Sequence, residues 1–196
     1  METVRILGIP GSIRKNSYNK MLLRAASSLL PYGATLEIYE NLHLIPPFNQ
    51  DEENNPPEPV RELKRKIKEA DAILFATPEY NYSVPGVLKN AIDWASRPYG
   101  DNSFDGKPAA VMSASIGMLG GSRAQYHLRQ MFVFLNIYPV NLPEVFVTFA
   151  SQKFDSQGNL IDQDAKKFIS QLLVNLVDWA RFLKQKKVAK LTSSLP

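Results

Sequence analysis

Between Val4 and Asn19 the chain reads Val4-Arg-Ile-Leu-Gly-Ile-Pro10-Gly11-Ser12-Ile-Arg14-Lys-Asn-Ser17-Tyr18-Asn19. A short apolar run stops at Pro10-Gly11-Ser12, and from Ser17 the apolar residues Met21, Leu22, Ala25, Leu29 and Leu30 keep helical spacing. The segment is therefore strand, loop, helix. The same alternation continues downstream. Thr35 to Tyr39 reads as a second strand, followed by a long surface loop with Pro46-Pro47 and Asp51-Glu52-Glu53. Pro57 and Pro59 suit a helix's first turn, and Val60, Leu63, Ile67 and Ala70 share one face of the helix they open. Ala72 to Ala76 and Ala109 to Ala114 are near-continuous apolar strands, as expected of parallel strands covered on both faces. Val87 to Ala95 and Ala124 to Leu135 read as helices, and Pro143 to Phe149 as a fifth strand. The longest amphipathic helix runs from Gln163 to about Lys184, with Ile169, Leu172, Leu173, Leu176, Val177, Ala180 and Leu183 as its stripe. Five strands alternating with five helices imply one α/β domain over residues 1–196, with right-handed crossovers and a parallel sheet carrying helices on both faces. Residues 187–196 are expected to be a flexible tail.

Composition narrows the chemistry. The 196 residues are 44% hydrophobic and 21% charged, and 23 Lys+Arg against 19 Asp+Glu leave a formal net charge of +4. That excess is too small and too interspersed to mark a nucleic-acid binder, while anionic small molecules fit it. No cysteine is present, which excludes disulfides, thiolate nucleophiles and Cys-ligated clusters; redox chemistry must then come from a bound organic cofactor or an oxygen/nitrogen-ligated metal. Only His43 and His127 supply imidazole. Met1-Glu-Thr-Val-Arg has no secretory n-region, and no apolar stretch approaches the roughly 18 residues of a membrane span, so a cytoplasmic protein without a membrane partner is expected.

In an open doubly wound sheet, ligands bind beyond the C-terminal strand ends, near the point where strand order reverses. The loops after strands one, three and four are the candidates. The first brings Ser12, Arg14, Ser17 and Asn19 to a helix N-terminus, the parts of a phosphate site. It lacks the spacing of a P-loop or of a dinucleotide fingerprint. Read alone, it is equally an N-capped helix, with Ser17 as cap and Arg14 solvated. The second loop, Thr77-Pro-Glu-Tyr80-Asn81-Tyr82-Ser-Val-Pro85-Gly86, stiffens two aromatics and an amide with two prolines. It can hold a planar ring, or it is a rigid surface turn. The third, Ser115-Ile-Gly117-Met-Leu-Gly120-Gly121-Ser-Arg123, offers a wall of backbone amides from which bulk is excluded, or a glycine-rich turn with no ligand.

Together these loops resemble the NADPH-dependent FMN reductase family of flavodoxin-like proteins, which includes quinone, azo-dye and chromate reductases. The resemblance rests on Gly11-Ser12-Ile-Arg14-Lys-Asn-Ser17-Tyr18-Asn19, on Pro78-Glu79-Tyr80-Asn81 with Val84-Pro85-Gly86-Val-Leu-Lys89-Asn90-Ala-Ile-Asp93-Trp94, and on Ser115-Ile116-Gly117 with Gly120-Gly121 and Arg123. It spans the chain from Val4 to the last helix. It implies a flavodoxin-like three-layer sandwich whose five-stranded parallel sheet has the order 2-1-3-4-5. It also implies FMN, with its phosphate on Ser12, Arg14, Ser17 and Asn19, Tyr18 as a further cofactor-binding residue, and its ring between Pro78, Glu79, Tyr80, Asn81 and the segment Ser115, Ile116, Gly117. NAD(P)H is the implied co-substrate. A quinone, azo compound, chromate-type oxyanion or free flavin is the implied acceptor, taking the donor's place in a ping-pong cycle. No side chain is assigned a catalytic role and no metal is expected, because the flavin carries the reaction.

The family's members are commonly dimers or tetramers. The helix Val84 to Trp94, with Lys89, Asp93 and Trp94, is the expected contact, and the outward tyrosines are placed to complete a partner's site. The competing function is an electron carrier or FMN-binding interaction module without NAD(P)H activity, since the same fold and cofactor serve it. A serine hydrolase is disfavoured, because Ser113-Ala-Ser115-Ile-Gly117 lacks the first glycine of G-x-S-x-G.

Overall fold

The structure, a computed structural model, describes residues 2–193, with side chains for residues 2–186. Strand β1 (Val4–Pro10) lies between β2 (Ala34–Ile38) and β3 (Ala72–Ala76), and β4 (Pro108–Ala114) follows β3. All these pairings are parallel: Ile6 faces Leu36 on one side and Ala72 on the other. Every residue of β3 and β4 is buried, which explains their unbroken apolar sequences. Helices α1 (Tyr18–Ser27) and α5 (Gln163–Ser193) cover one face of the sheet through Leu22, Leu23, Ile169, Leu172 and Leu176. Helices α2 (Glu58–Glu69), α3 (Gly86–Ala95) and α4 (Ser122–Leu135) cover the other through Leu63, Leu88, Ile92, Leu128 and Phe132. The sheet order is 2-1-3-4-5, with connections diverging between β1 and β3. The loops after those two strands therefore flank one crevice.

Three expectations change. The fifth strand is split into β5 (Tyr138–Pro139), beside the start of β4, and β6 (Val145–Val147), beside its end. Between Ala109 and Met112 the β4 chain takes three steps, while its partner takes six from Pro139 to Val145. Pro143 has no N–H to give the ladder, and the extra residues are held instead by Arg129, which donates to the Val140 carbonyl and Asn141 Oδ1. Second, α5 continues to Ser193, beyond the expected end near Lys184, so backbone helix occupies most of the segment expected as a tail from residue 187. The rest of that expected tail, residues 194–196, lies outside the described residues.

Third, Trp94 does not face outward. It is 1% exposed, donates from Nε1 to the Pro46 carbonyl at 2.8 Å and meets Phe48 edge-on at 5.0 Å. Asn90 completes the attachment, donating to the same carbonyl and accepting from the Phe48 N–H at 2.7 Å. The loop before α2 thus covers Trp94, one of the three residues of α3 expected to meet a partner. Lys89 and Asp93 stay on the exposed side as an ion pair at 2.7 Å.

Candidate active site

At the end of β1 the chain turns against β3. Gly11 N–H donates to the Ala76 carbonyl at 2.7 Å, and a Cβ at Gly11 would meet Thr77 Oγ1 at 2.7 Å and Pro78 Cδ at 3.0 Å. Glycine is required here by close approach of the two loops. Ser12 is buried and its Oγ accepts from the Arg14 N–H at 3.3 Å. Ser17, extended at φ −77 and ψ 125, caps α1 by accepting from the Lys20 N–H at 3.5 Å. The first-turn amides of Tyr18 and Asn19 follow, where an α-helix has no internal acceptor for them and presents its positive end. Arg14 is exposed, with its guanidinium 3.5 Å from the Asn16 carbonyl.

Two side chains of this loop have other partners. The Asn19 carboxamide donates to the Ala114 carbonyl and accepts from the Ala114 N–H, each at 2.9 Å. The Tyr18 ring packs on Phe154 at 5.4 Å. Both residues still contribute first-turn backbone N–H groups to the start of α1.

The loop after β3 closes in a two-residue turn: Tyr80 N–H donates to the Ser83 carbonyl at 3.1 Å, and Ser83 N–H to the Tyr80 carbonyl at 3.0 Å. Tyr80, Asn81 and Tyr82 are exposed, and Pro78 is half-buried. The Glu79 carboxylate points away from the turn into the N-terminus of α4, accepting from the N–H groups of Arg123 at 3.1 Å and Ala124 at 3.4 Å. Gly121 occupies the capping position of α4 and has no side-chain acceptor, so Glu79 takes that role from a distant loop. Glu79 also pairs with the Arg123 guanidinium, whose pKa rises: burial works against the charge, and bonding to Glu79 and Tyr82 outweighs it.

Beyond β4, Ser115 Oγ accepts from the Gly117 N–H at 3.2 Å. Phe149 N–H donates to the Gly117 carbonyl and Ala150 N–H to that of Ser115, so the segment is laced to the chain after β6. Ile116 and Gly117 remain exposed. The bulk excluded at Gly120 and Gly121 is internal to the protein. Added Cβ atoms would lie 2.9 Å from Phe146 Cβ and 2.8 Å from Ser113 Cβ. Buried Gln125 holds this loop by donating to Ser113 Oγ at 2.8 Å and to the Val145 carbonyl, while Ser113 Oγ donates to the Gly120 carbonyl.

All three predicted segments thus lie at neighbouring C-terminal strand ends, where the first meets the second at Gly11 and Thr77 and the second meets the third at Glu79 and Arg123. Their internal ties (Glu79 with Arg123, Ser113 with Gln125) were not foreseen. Neither is within reach of local spacing: Glu79 and Arg123 stand 44 positions apart, and Ser113 and Gln125 stand 12 apart on different elements. Among the described residues, no group of three or more His, Asp and Glu side chains could hold a metal ion, and no helix is long and apolar enough to cross a membrane.

A 2-1-3-4-5 parallel sheet with loop-to-helix junctions at its switch point defines a flavodoxin-like α/β fold. Comparison makes this specific: the chain belongs to the NADPH-dependent FMN reductase family, whose model matches residues 4–152. An NAD(P)H-dependent FMN reductase of Pseudomonas aeruginosa is 48% identical over 184 residues, covering 93% of this chain and 98% of that one. A 2-hydroxy-1,4-benzoquinone reductase of Burkholderia is 38% identical over 178 residues, covering 91% and 97%. Among solved structures, the flavoenzyme NAD(P)H:(acceptor) oxidoreductase of Paracoccus denitrificans superposes with a TM-score of 0.83 at 35% identity, covering 91% of this chain and 98% of that one.

Proposed function

We propose that this chain is an NAD(P)H-dependent FMN oxidoreductase that passes electrons from NAD(P)H through bound FMN to a quinone, with azo compounds, chromate-type oxyanions and free flavin as further acceptors. The observation that carries the reading is the contact of the two loops at the switch point, where Gly11 lies so close to Thr77 and Pro78 that no side chain fits between them. This contact brings a capped helix N-terminus beside an aromatic loop, a fit for a phosphate joined to a flat ring. When bound, FMN supplies the redox chemistry that no side chain of a cysteine-free chain offers.

In this reading Ser12, Arg14, Ser17 and the N–H groups of Tyr18 and Asn19 hold the phosphate. Pro78, the Glu79 backbone, Tyr80 and Asn81 border the ring on one side, and Ser115, Ile116 and Gly117 border it on the other. Their work is binding, orientation and the presentation of fixed N–H dipoles to developing negative charge. If donor and acceptor were to use the site in turn, the reaction would follow a ping-pong cycle. The names of the Pseudomonas and Burkholderia relatives support the choice of donor and of a quinone. A cytoplasmic homodimer or homotetramer, meeting through the Lys89 and Asp93 side of α3, completes the reading.

The purified protein should show a flavin absorption spectrum, or gain one with added FMN, and should oxidise NADPH steadily with a quinone. Initial rates at several quinone concentrations should give parallel reciprocal lines. A colourless protein that binds no FMN overturns the reading. Flavin binding without NADPH oxidation makes the chain a carrier, and intersecting lines replace the single shared position with two.

A further inference from the structure

The turn Tyr80-Asn81-Tyr82-Ser83 has left-handed backbone at both central residues, with φ 50 at Asn81 and φ 65 at Tyr82, and glycine at neither. Two-residue turns of this kind favour Asn followed by Gly. A bulky aromatic at the second position is strained and persists only where its surroundings fix it.

Helix α4 provides the fixing. The Arg123 guanidinium carbon lies over the Tyr82 ring, 3.5 Å from its centroid. The same guanidinium is oriented by Glu79, to which Nε donates at 2.5 Å. One turn further along α4, His127 Nδ1 shares a 2.9 Å hydrogen bond with Ser83 Oγ. The residue before the turn and its last two residues are therefore tied to one helix face.

We propose that Arg123 is a positioning residue: through Glu79 and Tyr82 it holds the strained turn in the shape that receives the flavin ring, without touching the flavin itself. The proposal rests on the FMN reading above. An unclamped turn relaxes out of the left-handed region, and the ring-bordering atoms of Tyr80 and Asn81 move with it. Because the ring and not the phosphate is affected, FMN and riboflavin lose affinity equally. A glycine at position 82 adopts the left-handed backbone without strain, so it should make the clamp dispensable.

The test is titration of the apoprotein with FMN and with riboflavin for wild type, Arg123→Leu, Arg123→Lys, Tyr82→Gly and Arg123→Leu/Tyr82→Gly. Arg123→Leu should weaken both flavins by about tenfold, the order of one strained residue released, and Arg123→Lys by less. The double variant should bind within about twofold of Tyr82→Gly alone. Unchanged affinity in Arg123→Leu, loss confined to FMN, or a double variant no better than Arg123→Leu overturns the proposal. If Arg123→Leu does not fold, Arg123→Lys carries the same comparison with and without Tyr82→Gly. A wild type that binds neither flavin overturns the cofactor reading and this proposal together, whereas a binding wild type with an indifferent Arg123 overturns the proposal alone.

Discussion

Asn19 and Ala114 exchange two hydrogen bonds: the Asn19 carboxamide donates to the Ala114 carbonyl and accepts from its N–H, both at 2.9 Å and both buried. The first turn of α1 is thereby locked to the end of β4, across the strands between them. Asn19→Ala leaves two buried backbone groups without partners, at a cost of about 2–4 kcal/mol. Chemical denaturation should register this loss. Flavin titration should show FMN and riboflavin weakened alike, because the change loosens the junction of the loops. A loss confined to FMN would return the Asn19 side chain to the phosphate.

This pair marks where sequence reading succeeds and where it stops. Ser17 as the cap of α1 was legible, because capping is decided within three residues, and the buried runs of β3 and β4 fixed the sheet's centre. Asn19 also stood out as polar and near the site, but its partner is 95 positions away, and no local pattern distinguishes an amide facing a ligand from one facing a strand end. Trp94 misled for the same reason. Its place in a helix was correct, yet the Pro46–Phe48 segment that covers it belongs to a loop read as wandering over the surface. The break in the fifth strand depended on six steps of chain from Pro139 to Val145 running beside three of β4, a matter of register that periodicity does not carry.

Gly11 should tolerate no side chain. A methyl group there would press on Thr77 Oγ1 at 2.7 Å and on the Thr77 Cα and Pro78 Cδ at 3.0 Å, and two of these three atoms belong to rigid backbone or ring. Gly11→Ala should lower stability by about 1–3 kcal/mol through overpacking and weaken flavin binding by spreading the loops. Gly86→Ala is the control, since nothing lies within 4 Å of a Cβ at that position. Equal flavin affinity in the two variants would show that the loop contact does not shape the site.

Tyr39 sets an alkaline limit on stability. Burial, reinforced by the nearby Glu62 carboxylate, raises its phenol from 10.0 to about 12. The folded pKa lies above the unfolded one, so its stabilising effect is complete below pH 10 and is lost as pH rises toward 12. A shift of this size is worth on the order of 2–3 kcal/mol. Melting temperatures between pH 9 and 12 should fall more steeply for wild type than for Tyr39→Phe, which has no phenol to ionise. Parallel pH profiles would remove Tyr39 from the account.

Arg14 carries the sharpest part of the proposed phosphate site. It lies two residues beyond the buried Ser12 and three before the Ser17 cap, exposed, with its guanidinium 3.5 Å from the Asn16 carbonyl. A charge-assisted bond from it to the FMN phosphate should contribute about 1.5–3 kcal/mol, so Arg14→Ala should weaken FMN roughly 10- to 150-fold. Riboflavin has the same ring and ribityl chain without the phosphate, and its affinity should barely change. That contrast separates Arg14 from Asn19 and Arg123, whose loss should affect both ligands equally. Raised salt should also narrow the wild-type preference for FMN over riboflavin, because part of it is Coulombic and screened at an exposed site. FAD should bind less well than FMN, since a loop closed around a terminal phosphate leaves little room for an adenylate. If Arg14→Ala keeps full FMN affinity, the loop is a capped helix beside a solvated arginine, and the phosphate must be held by Ser12, Ser17 and the first-turn amides of α1 alone.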